Sequence, residues 1–187
     1  MAGRPRSFNR DEAIDVALDA FWRSGYEQTS IAQLTAAIGI RPPSLYAAFG
    51  DKAGLFTEAS SRYIERFRRS LDELLDRPTT REAIAALLRG TAAAHTDPAT
   101  PPGCPVLSEP RLATERRRMR DTIADRLYRG QREGDLPTSF NADEFASFYE
   151  AVLTGMSDRA RDGGTHHDLL AIANLALQVL PDRDENQ

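Results

Sequence analysis

The chain has 187 residues, 41% of them hydrophobic, a single cysteine and a formal net charge of −4. That length and apolar content suffice for a buried core in one domain or two small ones, and the acidic sum argues against a generally basic nucleic-acid coat. No apolar run is long enough to span a bilayer and MAGRPRSFNR has no apolar segment after its charges, so a cytoplasmic protein is expected; Cys104, alone, forms no internal disulfide.

Charge is shared unevenly. Residues 1–69 hold ten Arg or Lys and eight Asp or Glu (+2), whereas residues 70–187 hold fourteen and twenty (−6), and together these give −4. A mildly basic first third joined to an acidic remainder suggests a small DNA-facing module on a body that does not touch DNA. The first eight residues carry Arg4 and Arg6 and no acid. They read either as a basic arm suited to a DNA minor groove or as a plain unstructured terminus.

Asn9, with Glu12 three residues on, has the form of a capping box and opens a helix to about Ser24, with Ile14, Ala17, Leu18, Phe21 and Trp22 on one stripe and Gly25 as its stop. Thr29 or Ser30 caps the next helix, in which Ile31, Leu34 and Ile38 recur at i, i+3 and i+7. Gly39 supplies the positive φ that ends it abruptly, and a further helix starts near Pro42 or Pro43 with Leu45 and Phe49 turned inward. This is helix-turn-helix spacing. Ser44, Ala47 and Ala48 share another face with Tyr46 beside it; small side chains there permit close approach to a groove, and alanine methyls can meet thymine methyls. Asp51 caps a long helix from Lys52 to about Asp76, which would join the module to the body.

The run TSIAQLTAAIGIRPPSLYAAFGDKAGLF resembles the tetracycline-repressor (TetR) family of bacterial transcription regulators, through Thr29, Ile31, Leu34, Ile38, Gly39, Ile40, Ser44, Leu45, Tyr46, Phe49, Lys52 and Leu55, with Phe21 and Gly25 before them. The resemblance covers the first third. It implies an all-α fold: a helix-turn-helix DNA-binding domain over 1–51, a helical ligand-binding and dimerisation domain over 52–182, and a tail over 183–187. It also implies a homodimer on a near-palindromic double-stranded DNA operator, with DNA contacts from Ser30, Arg41, Pro42, Ser44, Tyr46 and Lys52, joined by Arg4 and Arg6. Ala47 and Ala48 depart from the larger polar or aromatic side chains common in the family, which shifts expected sequence reading toward Arg41 and the arm.

Beyond Asp76 the pattern gives a helix from Arg81 to about His95, then the proline-rich loop TDPATPPGCP, in which Cys104 would be the N-cap of a short helix. A helix over about 111–133 follows, its Arg116, Arg117, Arg118 and Arg120 interleaved with Glu115, Asp121 and Asp125 as a paired, solvated face. Asn141 and Thr165 cap two last helices whose apolar faces are too wide for one core stripe, so the homodimer is expected through 141–161 and 165–180. A ligand pocket is expected among the long helix and those of 81–95, 111–133 and 141–161. Its candidate lining is Tyr63, Phe67, Leu87, Cys104, Met119, Ile123, Phe148, Tyr149 and Val152, suited to an apolar or aromatic inducer.

No phosphate loop, nucleophile motif or metal-ligand cluster is present, so no enzyme activity, cofactor or metal is expected. The resulting expectation is a ligand-responsive repressor. Its rivals are a thiol sensor using Cys104 and a helical protein-interaction module without DNA binding; an activator is indistinguishable from a repressor at this level.

Overall fold

The computed structural model describes residues 8–181. Arg4, Arg6 and the 183–187 tail lie outside them. Among the described residues the chain is all-helical, with α1 (Arg10–Gln28), α2 (Ile31–Ile38), α3 (Pro42–Phe49), α4 (Lys52–Leu75), α5 (Thr80–His95), α6 (Pro105–Ser108), α7 (Ala113–Arg132), α8 (Ala142–Arg161) and α9 (His166–Gln178), and no strand. Most helix starts carry a side-chain cap; those at Asn9, Ser30, Asn141 and Thr165 follow the sequence reading, and Thr79 adds one. Ser30, Thr79 and Thr165 close full capping boxes with Gln33, Glu82 and Asp168, while Asn9 and Asn141 accept first-turn amides. Gly25 breaks the helical path at φ 77°, ψ 163°, and α1 resumes for one short turn beyond it. α7 starts two residues later than expected, because Pro110–Leu112 form a 3-10 turn first.

Two compact units divide within α4, Met1–Glu65 and Arg66–Gln187. In the first, Ala13, Ile14, Ala17, Leu18 and Phe21 from α1 meet Leu34 of α2, Leu45 and Phe49 of α3, and Leu55 and Ala59 of α4 in one buried cluster. Phe56 edges onto both Phe21 and Tyr26, with ring centroids 5.1 and 5.0 Å away. Helices of eight residues are marginal alone, and this shared core is what holds α2 and α3.

In the second unit α5 packs on α9 and α7 on α8. Its interior holds Ile84, Leu88, Ile123, Leu127, Leu153, Met156, Leu169 and Leu180, with Tyr149 fully buried beside Ala176, whose carbonyl its hydroxyl reaches at 3.4 Å. One cation is buried with them. Arg126, its side chain 4% exposed, donates from Nε to Leu75 O (3.2 Å), from Nη1 to Thr80 Oγ1 (2.8 Å) and from Nη2 to Arg77 O (3.2 Å). A side chain of α7 thus brings positive charge to the last carbonyl of α4 and to the turn that follows it. Asp135 completes the arrangement, accepting from the Thr80 amide and lying 3.9 Å from the guanidinium.

His95 ends α5 in an enclosed position where Nδ1 meets no hydrogen-bond partner, and burial lowers its pKa from the ordinary 6.5 to about 4. Because the folded state disfavours the imidazolium, the stability it holds above pH 6.5 falls as the pH drops from 6.5 toward 4. The slope approaches 1.36 kcal/mol per pH unit, for a total on the order of 3 kcal/mol. Urea titrations at pH 7 and 5 should show this loss in the wild type and a flatter response in His95→Phe; equal slopes would remove His95 as its source.

Candidate nucleic-acid interface

The interface candidate begins at a turn. Gly39 adopts φ 77°, ψ 30°, and its amide and that of Ile40 both donate to Thr35 O at 3.0 Å, closing α2 in a left-handed cap. A side chain at that φ is strained, which is why the turn needs glycine. Two residues on, Arg41 is the extended N-cap of α3, its carbonyl accepting from Ser44 N at 2.9 Å, and Pro42 occupies the first turn, where a missing amide costs nothing.

α3 is pinned from beneath. Leu45 and Phe49 are buried, the Arg10 guanidinium sits 4.8 Å above the Phe49 ring, and Arg10 pairs with Glu58 of α4 at 2.6 Å. Arg62 ties α4 back to Asp11 of α1. These ties leave Arg41, Pro42, Pro43, Tyr46, Ala47 and Gly50 exposed and Ser44 and Ala48 half-buried. Ser30 is exposed too, at the N-terminus of α2, with its oxygen accepting from Gln33 N at 3.2 Å. Ser30, Arg41, Pro42, Ser44 and Tyr46 therefore lie along the two helix starts and the outward part of α3.

Lys52 is placed differently from the sequence expectation. Its ammonium donates to Tyr26 O (2.8 Å) and Thr29 O (3.0 Å) and lies 4.1 Å from the Tyr26 ring centroid. Two of its three donors are thus committed inward, joining the end of α1 to the start of α4, and one at most remains for a phosphate. Lys52→Met should lower the unfolding free energy of the first unit by about 1–3 kcal/mol, as lost charge-assisted bonds to backbone do. An unchanged unfolding curve would return Lys52 to a purely surface role.

The sequence also missed Gly54. In the first turn of α4, the position of a Cβ there would lie 2.1 Å from Phe49 O. Only a residue without a side chain lets α4 start this close to the end of α3.

The second unit carries a cleft of about 530 Å³ between the later turns of α4 and α7. Its apolar lining is Phe67, Leu71 and Met119, and its rim holds Asp72, Asp121 and Asp125, together with Glu115, which pairs with both Arg68 and Arg118. Of the residues expected to line a ligand pocket, Phe67 and Met119 line this cleft. Leu87, Cys104, Ile123 and Tyr149 are buried core, Phe148 is 38% exposed, Val152 is half-buried, and Tyr63 stacks edge-on against Trp22 in the first unit, centroids 5.0 Å apart. Large apolar side chains at helical spacing satisfy their hydrophobicity by packing, so their periodicity marks the interior without marking a cavity. Cys104 is the N-cap of α6 as expected, but 1% exposed, its amide donating to Ser157 Oγ at 3.0 Å. Among the described residues no group of three or more His, Cys, Asp or Glu is placed to hold a metal, and no helix is long and apolar enough to cross a membrane.

Residues 13–59, which span the first core and both helices of the turn, match the model for "Bacterial regulatory proteins, tetR family". Over 194 residues the chain is 32% identical to the HTH-type transcriptional repressor ComR of Escherichia coli, covering 96% of this chain and 92% of the relative. The chain belongs to the tetR family. A second relative, the HTH-type transcriptional repressor BdcR of Escherichia coli, is 32% identical over 191 residues, covering 95% and 92% of the two chains. Among solved tetR-family structures, a cysteine mutant of the regulator CifR, complexed with 26bp double-strand operator DNA, superposes with a TM-score of 0.90 at 41% identity, over 96% of this chain and 100% of that one.

Proposed function

We propose that this chain is a homodimeric transcriptional repressor that holds a near-palindromic operator through α2 and α3 and is released by a small molecule bound in the second unit. The observation that carries it is the outward surface of α3, held rigidly from below and free above, in a chain 41% identical to a regulator solved on operator DNA. Ser30, Ser44 and Tyr46 supply hydroxyls for phosphates, and the first amides of α2 favour the same charge. Arg41, exposed at the start of α3, is the long donor suited to a guanine edge. Arg4 and Arg6 are assigned to the minor groove on sequence grounds.

Dimerisation through α8 and α9 is supported by what they and the C-cap of α9 leave uncovered: Phe148 at 38%, Leu175 at 65% and Val179 at 47% exposure, with open space at Gly155 of α8. Two copies of the turn must then match successive major grooves, roughly 34–36 Å apart. The inducer belongs in the α4–α7 cleft, whose volume suits a drug-sized molecule. Its apolar floor fits the aromatic body expected from sequence, while its carboxylate rim favours a positively charged substituent. α4 is continuous from Lys52 to Leu75, so a molecule that displaces its later turns biases the equilibrium between two dimer states. The burial of Cys104 favours an inducer over a thiol sensor. The setting is the cytoplasm.

Fluorescence anisotropy with the DNA upstream of the chain's own coding sequence tests the repressor reading. Specific, dimer-stoichiometric binding is expected, and Arg41→Ala should lose about 1–3 kcal/mol on that DNA while binding random duplex as before. Equal loss on both would show that Arg41 touches only the backbone, and absence of specific binding would sink the reading.

A further inference from the structure

The surface that α3 turns outward is poor in hydrogen-bonding groups. Pro43, Tyr46, Ala47 and Gly50 lie along it at i, i+3, i+4 and i+7, and all four are exposed. The side chains that read guanine, adenine or cytosine edges through paired hydrogen bonds are Arg, Lys, Asn, Gln, Glu and Asp. None of them stands between Pro42 and Gly50. Arg41 precedes the first turn, the Ser44 side chain is half-buried, and the Tyr46 hydroxyl is a single group at the end of a long ring. Along the middle of α3 only one major-groove feature has chemistry to match a methyl or pyrrolidine surface: the C5 methyl of thymine.

On the reading that α3 enters the major groove, we propose that Ala47, with Pro43 one turn before it, is a specificity-determining contact that reads thymine methyl groups. Sequence preference at the centre of each half-site is then apolar, and a thymine faces Ala47 in each. The short side chains suit this role twice over, since they let the helix approach closely and they bring no polar atom that desolvation would penalise. A methyl-sized group removed from water corresponds to roughly a fourfold change in affinity, and two such contacts in a symmetric site to roughly fifteenfold.

The test uses duplexes enriched from a random library by the purified full chain, resynthesised with deoxyuridine at each thymine in turn. This replacement deletes only the C5 methyl and keeps base pairing. Binding of the wild type should fall roughly fourfold at one thymine per half-site and roughly fifteenfold when both are replaced. Ala47→Gly should show the same loss on thymine DNA and no further loss on the uracil version. Insensitivity to uracil at every position, or equal sensitivity in Ala47→Gly and wild type, overturns the proposal while leaving DNA binding intact. If no sequence is enriched at all, the proposal falls together with the DNA reading beneath it. Because the uracil scan on wild-type protein needs no variant, poor folding of Ala47→Gly does not decide the outcome.

Discussion

Gly54→Ala is expected to destabilise the N-terminal unit by about 3 kcal/mol or more, as inserting an atom into a closed backbone contact does. Helix propensity alone argues the reverse, since alanine in a helix is favoured over glycine by roughly 1 kcal/mol. Sterics win here because the new Cβ would stand 2.1 Å from Phe49 O and 3.3 Å from Phe49 C, backbone atoms with no rotamer to escape into. Relief requires α4 to lift away from the end of α3, which would also strain the 2.7 Å bond from the Gly54 amide to its N-cap, Asp51. Phe49 and Leu55, buried on either side, would be drawn apart. Urea unfolding followed with a probe in the first unit should show an earlier transition, and operator affinity should drop with it. A more stable Gly54→Ala would mean that the α3–α4 junction yields without cost.

Arg126→Ala is expected to lower the melting temperature by roughly 10 °C, the consequence of losing about 3–5 kcal/mol in a chain of this size. The loss is large because the acceptors stay behind. Thr80 Oγ1 would lose a buried donor, Leu75 O and Arg77 O would each lose a charged one, and Asp135 would lose its cationic neighbour. Burial and Arg129 both lower the pKa of the guanidinium, yet arginine starts high enough to stay charged. Arg126→Lys keeps the charge but lacks the fork that reaches three acceptors at once, so it should recover only a minor part of the loss. Full recovery by lysine would reduce the site to a simple point charge.

Local chemistry in the sequence was enough to place most helices. The caps at Asn9, Ser30, Asn141 and Thr165 and the glycine at position 39 act through atoms three or four residues away, so their effect is written in short stretches of chain. The long side chains were less legible. Lys52 and Arg126 each find partners more than twenty residues distant, and nothing nearby in sequence indicates which way a flexible cation turns. Arg126 did leave one signal: it follows Ile123 by three residues on the stripe of Met119, Ile123 and Leu127, so an arginine at a core position was visible before its acceptors were. Gly54 left none, because its neighbour across the junction is a carbonyl placed by the preceding turn. The lining of a pocket was less legible still. Apolar periodicity reports that Leu87, Ile123 and Tyr149 are inside, and it carries no information on whether the inside is filled.

Between Pro42 and Gly50 the outward face of α3 offers methyl groups, a pyrrolidine and one phenol, with almost no charge to screen. Added salt weakens phosphate attraction on every sequence alike, whereas apolar contacts survive it and are strengthened by sulfate. Pro43 and Ala47 would therefore keep the preference for the operator over random duplex nearly constant as ionic strength rises, even while overall affinity declines. If α3 reads the groove as proposed, the share of discrimination carried by its middle is set by water, while the share carried by Arg41 is set by charge.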